Sequence, residues 1–397
     1  MKAIKISEHV YWVGAIDWSL REFHGYATHR GSTYNAYLIM ADKITLVETV
    51  KAQFRDEMLQ RISSVITPKE IKYIVSGHSE MDHSGLIPYM IDLIKPEKVI
   101  ASTMGVKALN DHFHLNYPLT AVKDGDSISL GNMELKFVET RMLHWPDSMF
   151  TYLANDRLLF SQDAFGMHLA SSERFADEID TGILTEEAAK YYANIILPYS
   201  SFVLKLLEKW KTLGFDVKVI ATDHGPIWRD GGKKIIPLYA KWAEQRPSNK
   251  AVIIYDTMWK STETMANAIA DGLISEGVNT VVLPLAVAKR SDIALHVLDA
   301  GAVIVGSPTL NNNIFPSVVD ALVYLKGLKP LNKIGAVFGS YGWGGEAIAQ
   351  LNEWLKNMQI ETIGDGIKVR YVPRKEDIAK CFELGREVAS RLKKLPC

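Results

Sequence analysis

The chain has 397 residues, with 45 basic against 46 acidic side chains and a formal net charge of −1. Hydrophobic residues make up 47% and charged residues 23%, the balance of a globular protein long enough for two domains. That near-neutrality excludes a whole-molecule field for nucleic acid or anionic membrane.

The N-terminus, MKAIKISEHVYWVGAI, lacks the apolar core and cleavage site of a signal peptide. No apolar run approaches membrane-spanning length, so a cytoplasmic chain is expected. Two cysteines, Cys381 and Cys397, exclude a disulfide framework and any four-cysteine metal centre. They are expected as a buried thiol in a helix and a frayed end.

Up to about residue 245 strands dominate. VYWVGAI, YNAYLIM, ITLVETV, ELKFVET, MFTYLA and RLLFS are β-rich, and short polar turns such as ANDR join some of them. TEEAAKYYANIILPYSSFVLKLLEKWKTLG has helical periodicity. The polar stretch QRPSNK, 245–250, reads as a linker. Beyond it, five apolar strands (AVIIYDT, VNTVVLPLA, AVIVGSP, KIGAVFGS, IKVRYV) alternate with amphipathic stretches beginning TETMAN, SDIALH, PSVVDA, EAIAQL and KEDIAK. That alternation predicts a doubly wound parallel sheet. The expected domains are 1–248 and 249–397.

Residues 78–85, HSEMDHSG, follow the apolar run IKYIV and hold His78, Glu80, Asp82 and His83 within six positions. His144 in LHWPDS, Asp163 in LLFSQDAFG and His224 in VIATDHGPIW lie beyond later strands. Loops at one end of a sheet converge, so side chains in this order and density point to a metal site. Metallo-hydrolases of the β-lactamase superfamily usually carry His-x-His-x-Asp-His here, and this chain has Glu80 where the second histidine belongs. The remaining histidines, such as His112 and His114, are expected at the surface.

The seven residues resemble the full ligand set of the flavodiiron proteins (A-type flavoproteins). The likeness runs from DWSLREFHGY near the start to YGWGGEAI near the end. It implies an N-terminal metallo-β-lactamase-like αββα sandwich. It also implies a first iron held by His78, Glu80 and His144, and a second by Asp82, His83 and His224. Asp163 would bridge the two, with an oxide or hydroxide. The family's histidine matching His24 lies near the metals, and His24 is the candidate catalytic residue. Asp223 is a candidate to orient a ligand imidazole, Trp145 to shield the site, and Tyr191 and Tyr192 are expected mainly in helix core.

Charge bears on the metal's identity. Four histidines and three carboxylates contribute −3, against +4 from two divalent ions. One carboxylate more than the usual hydrolase set stabilises a higher oxidation state. Glu80 therefore favours redox-active iron over zinc.

In the second half, DTMWKSTETMA, 256–266, leads from the first strand into a helix. Its hydroxyls and the helix N-terminus suit a phosphate monoester, whereas a dinucleotide loop needs glycines. SPTLNN, 307–312, and SYGWGG, 340–345, follow the third and fourth strands, also at carboxyl ends. The pattern is similar to flavodoxin and implies FMN. Thr257, Ser261 and Thr262 are expected at the phosphate. Ser307, Pro308, Thr309, Asn311 and Ser340 are expected at the ribityl chain and ring. Met258, Trp259, Tyr341 and Trp343 lie near the flavin plane, and Gly342, Gly344 and Gly345 permit close backbone approach.

A flavin takes two electrons and releases them singly. Coupled to a di-iron site, it implies a terminal reductase of a diatomic gas, O2 to water or NO to N2O, as in the family. With no dinucleotide fingerprint and no rubredoxin cysteines, the donor must be external. The family implies rubredoxin, or in some relatives reduced deazaflavin. It also implies a head-to-tail homodimer or a dimer of dimers. The alternative readings are a di-zinc hydrolase fused to a flavodoxin module, and a flavin electron carrier with an inert metal site.

Overall fold

The computed structural model describes residues 1–395, so Cys397 lies outside the described residues. By contact density the chain divides into two compact units. The first comprises Met1–Phe23, Thr28–Tyr192 and Tyr199–Ala240. The second runs from Lys241 onward and includes His24–Ala27 and Ala193–Pro198. Among the described residues no helix is long and apolar enough to cross a membrane.

The first unit holds two mixed sheets. One contains β1 (Ile4–Lys5), β2 (Val10–Trp12), β3 (Tyr37–Ile39), β4 (Thr45–Val47), β5 (Tyr73–Ser76), β6 (Lys98–Ser102) and β7 (Thr120–Val122), hydrogen-bonded in that order. The other contains β8 (Ser127–Ser129), β9 (Glu134–Glu139), β10 (Met149–Leu153), β11 (Leu158–Gln162) and β12 (Val219–Thr222), again in chain order.

Period-2 alternation sorts their side chains between two cores. Tyr37, Ile39, Tyr73 and Val75 join Leu135, Phe137, Leu158 and Phe160 in one buried cluster between the sheets. Their neighbours Leu38 and Ile74 point the other way. They pack with Met58 and Ile62 of α1 (Arg55–Ser63), Ile87 and Met90 of α3 (Ile87–Ile94), and Leu109 of α4 (Thr103–Phe113). The short helix α2 (Met81–Ser84) follows β5. Trp210 of α6 (Ser200–Leu213) lies edge-on to Phe150 of β10 and covers the second sheet. Helices outside two stacked sheets make the αββα sandwich.

The long helical stretch expected around 185–214 is two helices. α5 (Thr181–Tyr191) gives way to a π turn at Tyr192–Ile196 and a 3-10 turn at Leu197–Tyr199 before α6. Pro198 lacks an N–H and cannot continue the ladder, which accounts for the break.

After α7 (Ile235–Glu244), the second unit forms one parallel sheet in the order β14–β13–β15–β16–β17. Its strands are β13 (Ser248–Tyr255), β14 (Asn279–Pro284), β15 (Ala300–Gly306), β16 (Ile334–Tyr341) and β17 (Glu361–Thr362). A further piece, β18 (Ile367–Arg370), also pairs with β16, so the fifth position is split in two. Ser248–Lys250, read from sequence as linker, already belong to β13.

The crossovers are α8 (Ser261–Ser275), α9 (Arg290–Leu298), α10 (Pro316–Leu328) and α11 (Glu346–Asn357), and α12 (Lys375–Leu392) closes the chain. α8 and α12 bury Met265, Ile269, Leu273, Leu384, Val388 and Cys381 against Ile253, Ile304 and Ala336 of the sheet.

Candidate metal centre and flavin cavity

β5, β11 and β12 all deliver their following residues to one end of the sandwich, and the β9–β10 loop emerges at the same end. Met149 N donates to Gly77 O at 2.8 Å and ties the loops of the two sheets together. Gln162, at φ +45°, turns the chain out of β11. Its side chain donates to Leu143 O at 2.5 Å and accepts from Asp163 N at 2.8 Å, so one amide fixes both the His144 loop and Asp163. Gly225 follows His224 at φ +76°, where a Cβ would come within 2.6 Å of Met167 O. Only glycine turns the chain there without strain.

All seven candidate ligands come together in two sets. In the first, His144 Nε2 lies 3.1 Å from Glu80 Oε2 and 2.9 Å from Asp163 Oδ2, and His78 Nε2 lies 3.3 Å from the same Oδ2. In the second, His83 Nε2 is 3.1 Å from His224 Nε2, and His224 Nε2 is 3.2 Å from Asp82 Oδ2. Asp163 Oδ1 faces this set, 3.4 Å from His83 Nε2 and 3.6 Å from His224 Nε2. One carboxylate thus turns one oxygen to each group.

These atoms are close without being aimed at one another. His78 Nε2, both Asp82 oxygens and Asp163 Oδ1 are buried and make no hydrogen bond. Buried polar atoms are almost always satisfied, so a cluster of orphans around common points is what a pair of cations would satisfy. His224 Nδ1 lies 2.6 Å from Thr33 O and donates to it, which leaves Nε2 as the lone-pair nitrogen. The residues fit two metal ions.

The electrostatics agree. Burial opposes charge on His78, yet Asp163 and Glu80 hold its imidazole well above the ordinary range. His144 and His224, also opposed by burial, are each raised to about 9 by the carboxylates they face. Burial works against ionised Glu80, but His144 and His78 bring it down to about 2. Asp163, opposed by burial in the same way, is held well below the ordinary range by His78 and His144. Without metal, the carboxylates favour the protonated forms of His78, His144 and His224, and metal ions would replace those protons.

Burial and the Glu48 carboxylate push Asp223 well above the ordinary range. Metal ions bound in front of it would favour the anion again.

Other expectations divide. His112 and His114 are exposed, as expected, but His112 stacks on Trp145 with ring centroids 6.0 Å apart. Trp145 stands edge-on to both His78 and His144. His24 is exposed, with φ +53°, and its segment groups with the second unit rather than with the clustered ligands.

Tyr192 is core, bonded to Ser200 Oγ at 3.1 Å. Tyr191 does approach the pocket. Its ring lies 6.2 Å from that of His224, and burial, then Asp163, hold its phenol well above the ordinary range.

His168 was not anticipated. It is fully buried, its ring centroid is 4.6 Å from that of His224, and Nδ1 lies 2.8 Å from Ser32 Oγ. Burial, then His224, lower it to about 3, so it stays neutral. Its place five residues after Asp163, in the same loop, was the available signal.

In the second unit the loops after β13, β15 and β16 surround a cavity of about 700 Å³. Met258, Trp259, Ser261, Pro308, Thr309, Asn311, Ser340, Tyr341, Gly342, Trp343 and Gly344 line it, together with Leu310, Asn312, Tyr371 and Val372, which sequence reading missed. Tyr371 and Val372 follow β18, whose short, weakly patterned sequence hid them.

Thr257, Thr262, Ser307 and Gly345 are not on that wall. Ser307 is fully buried; its hydroxyl donates to Pro308 O and accepts from Phe315 N. Its hydroxyl serves the turn that shapes the cavity's edge. Thr262 Oγ1 lies 2.9 Å from Ser340 Oγ. Thr257 Oγ1 is buried and makes no hydrogen bond, an orphan hydroxyl at the N-terminal side of α8 that fits a phosphate oxygen. Trp259 and Trp343 are 90% and 88% exposed.

Comparison with known proteins follows the same two-part division. Residues 33–225 match the ODP family beta lactamase profile and residues 253–385 match Flavodoxin. The chain is 47% identical over 393 residues to a nitric oxide reductase of Moorella thermoacetica, covering 98% of each. It is 45% identical over 397 residues to a rubredoxin-oxygen oxidoreductase of Megalodesulfovibrio gigas, covering 99% of each. A solved flavodiiron protein from Giardia intestinalis superposes with a TM-score of 0.95 at 34% identity, covering 99% of this chain and 97% of the other. The chain belongs to the flavodiiron protein family. Its similar relatives are oxidoreductases, so it is an oxidoreductase with a β-lactamase-like domain and a flavodoxin domain, and the hydrolase reading is set aside.

Proposed function

We propose that this flavodiiron protein is a terminal reductase of a diatomic gas, O2 to water or NO to N2O, with two iron ions and FMN as cofactors. The observation that carries the reading is Asp163, whose two oxygens face two separate histidine–carboxylate sets in a chain that also carries a flavodoxin cavity.

His78, Glu80 and His144 would hold one metal, Asp82, His83 and His224 the other, and Asp163 both. When bound, the irons supply one-electron redox steps and adjacent open positions for the gas, and FMN supplies the electrons singly. The chain's own residues do the rest. Gln162 orients His144 and Asp163, and Thr33 fixes the tautomer of His224. Neutral His168 and Tyr191 line the second set, where the Tyr191 hydroxyl retains its proton. His24 is carried as a further pocket residue from the family likeness alone. Residues 1–248 and 249–397 are our proposed limits for the domains.

Metal and flavin analysis of anaerobically purified protein tests this, with gas consumption driven by reduced rubredoxin, the donor named in one relative. Two iron and one FMN per chain, with uptake of O2 or NO, are expected; zinc without gas uptake would overturn the reading. Glu80→His adjusts the site charge from −3 to −2 and should shift retained metal from iron toward zinc on mixed-metal reconstitution, with loss of gas reduction. Unchanged iron occupancy and turnover would defeat the charge argument.

We further propose a head-to-tail dimer as the working unit. Support comes from Trp259 and Trp343, bulky aromatics left almost wholly exposed beside the flavin cavity. Asp163→Ala protein and Thr257→Asp protein, whose new carboxylate repels the flavin phosphate, should each be inactive. Unfolded and reassembled together, they should regain activity in mixed dimers. Confirmed mixed dimers that stay inactive would rule the arrangement out.

A further inference from the structure

The two histidines on α2 and just before it use only one ring nitrogen toward Asp163. Their other nitrogens turn to a different carboxylate. Asp223 Oδ2 lies 3.6 Å from His78 Nδ1 and 3.8 Å from His83 Nδ1. All three atoms are buried without a hydrogen bond. The His78 and His83 rings sit side by side, centroids 5.1 Å apart at 37°. Asp223 cannot easily drift away. Its N donates to Gln162 O at 2.9 Å and its O accepts from Asn35 N at 2.8 Å. His224 does not need it, because Thr33 O already holds His224 Nδ1.

We infer that Asp223 is a positioning residue shared by both halves of the site, its one carboxylate orienting His78 for the first metal and His83 for the second. The inference rests on the dinuclear reading proposed above. A carboxylate oxygen has lone pairs for more than one donor, so it can accept from both Nδ1–H groups as the rings tighten on metal. Each imidazole is then fixed as the tautomer with its Nε2 lone pair toward the metal, and its basicity rises. A carboxylate serving one ligand of each metal ties the two sets together: a change at Asp223 is felt by both ions. Asp163 ties them from the Nε2 side, and Asp223 does so from behind.

The test is a Co(II) titration of metal-free protein, read by the visible ligand-field bands and by competition with a chelator. Wild-type protein should take up two Co(II); fewer than two would overturn the dinuclear reading itself, and this inference with it. With two bound by wild type, Asp223→Ala should weaken both Co(II) sites by about 10- to 100-fold and shift both sets of bands. Far-UV circular dichroism and a cooperative thermal transition should show an intact fold. Asp223→Asn keeps the volume but presents an NH2 that cannot accept, and it is read by the same criteria if the alanine variant does not fold. In a folded variant, affinities within twofold of wild type at both sites would sink the inference. So would weakening confined to one site in Asp223→Ala.

Discussion

Replacing Asp163 with alanine should release both metals and lower gas reduction by roughly three orders of magnitude or more, about 4 kcal/mol in barrier. The size of the effect follows from the geometry. Oδ2 faces His78 and His144, and Oδ1 faces His83 and His224, all within 3.6 Å. The carboxylate is also the largest source of the raised proton affinity at His78 and His224 once burial is set aside. Without it, four histidines and two carboxylates must hold two dications, and their mutual repulsion grows as one anion is lost. Iron and Co(II) content, measured after gel filtration, checks this. A variant that keeps one tightly bound metal per chain would show that the sets act separately.

The second large effect is expected at Thr257. Its hydroxyl is buried and unpartnered, whereas that of Thr262 already meets Ser340. A hydroxyl donating to a phosphate dianion is worth about 1.5–3 kcal/mol. Thr257→Ala should therefore weaken FMN roughly 10- to 150-fold and leave riboflavin, which has no phosphate, nearly unchanged. Thr262→Ala should cost less, because its loss is shared with an internal bond. Flavin fluorescence titrations with both ligands separate the cases. Equal loss of FMN and riboflavin affinity would place Thr257 away from the phosphate.

The architecture was legible where pattern and spacing are local. The β-rich and apolar runs around Tyr37–Ile39 and Tyr73–Ser76 told of strands, and the strand–helix alternation after 245 told of the parallel sheet. The clustering of the seven candidate ligand side chains was legible because each follows a strand and four fall within six positions. What remained hidden depends on distant partners. His168 is held by Ser32, 136 residues away, and its closeness to Asp163 in sequence is the one local sign of its place. Asp223 could be suspected beside His224, but that it faces His78 and His83 appears only when β5 and β12 are brought to one end of the sandwich. Ser307 shows another side of this: its hydroxyl donates to Pro308 O and accepts from Phe315 N within its own turn, which the spacing alone does not reveal.

Strand order has a consequence for biogenesis. In each of the two large sheets of the first unit the strands lie side by side in chain order, so each can add to its predecessor as it leaves the ribosome. The exception in span is β12, which joins β11 in parallel after a long helical excursion. That last strand carries Asp223 and His224 behind it. A nascent chain ending after residue 163 and before residue 224 holds His78, Glu80, His144 and Asp163 but only part of the second set. One ion could be captured early, while the pair must wait for β12 to close the sheet. On the proposed dinuclear reading, the direction of synthesis would order the two sites in time, the second being completed only with the finished sandwich.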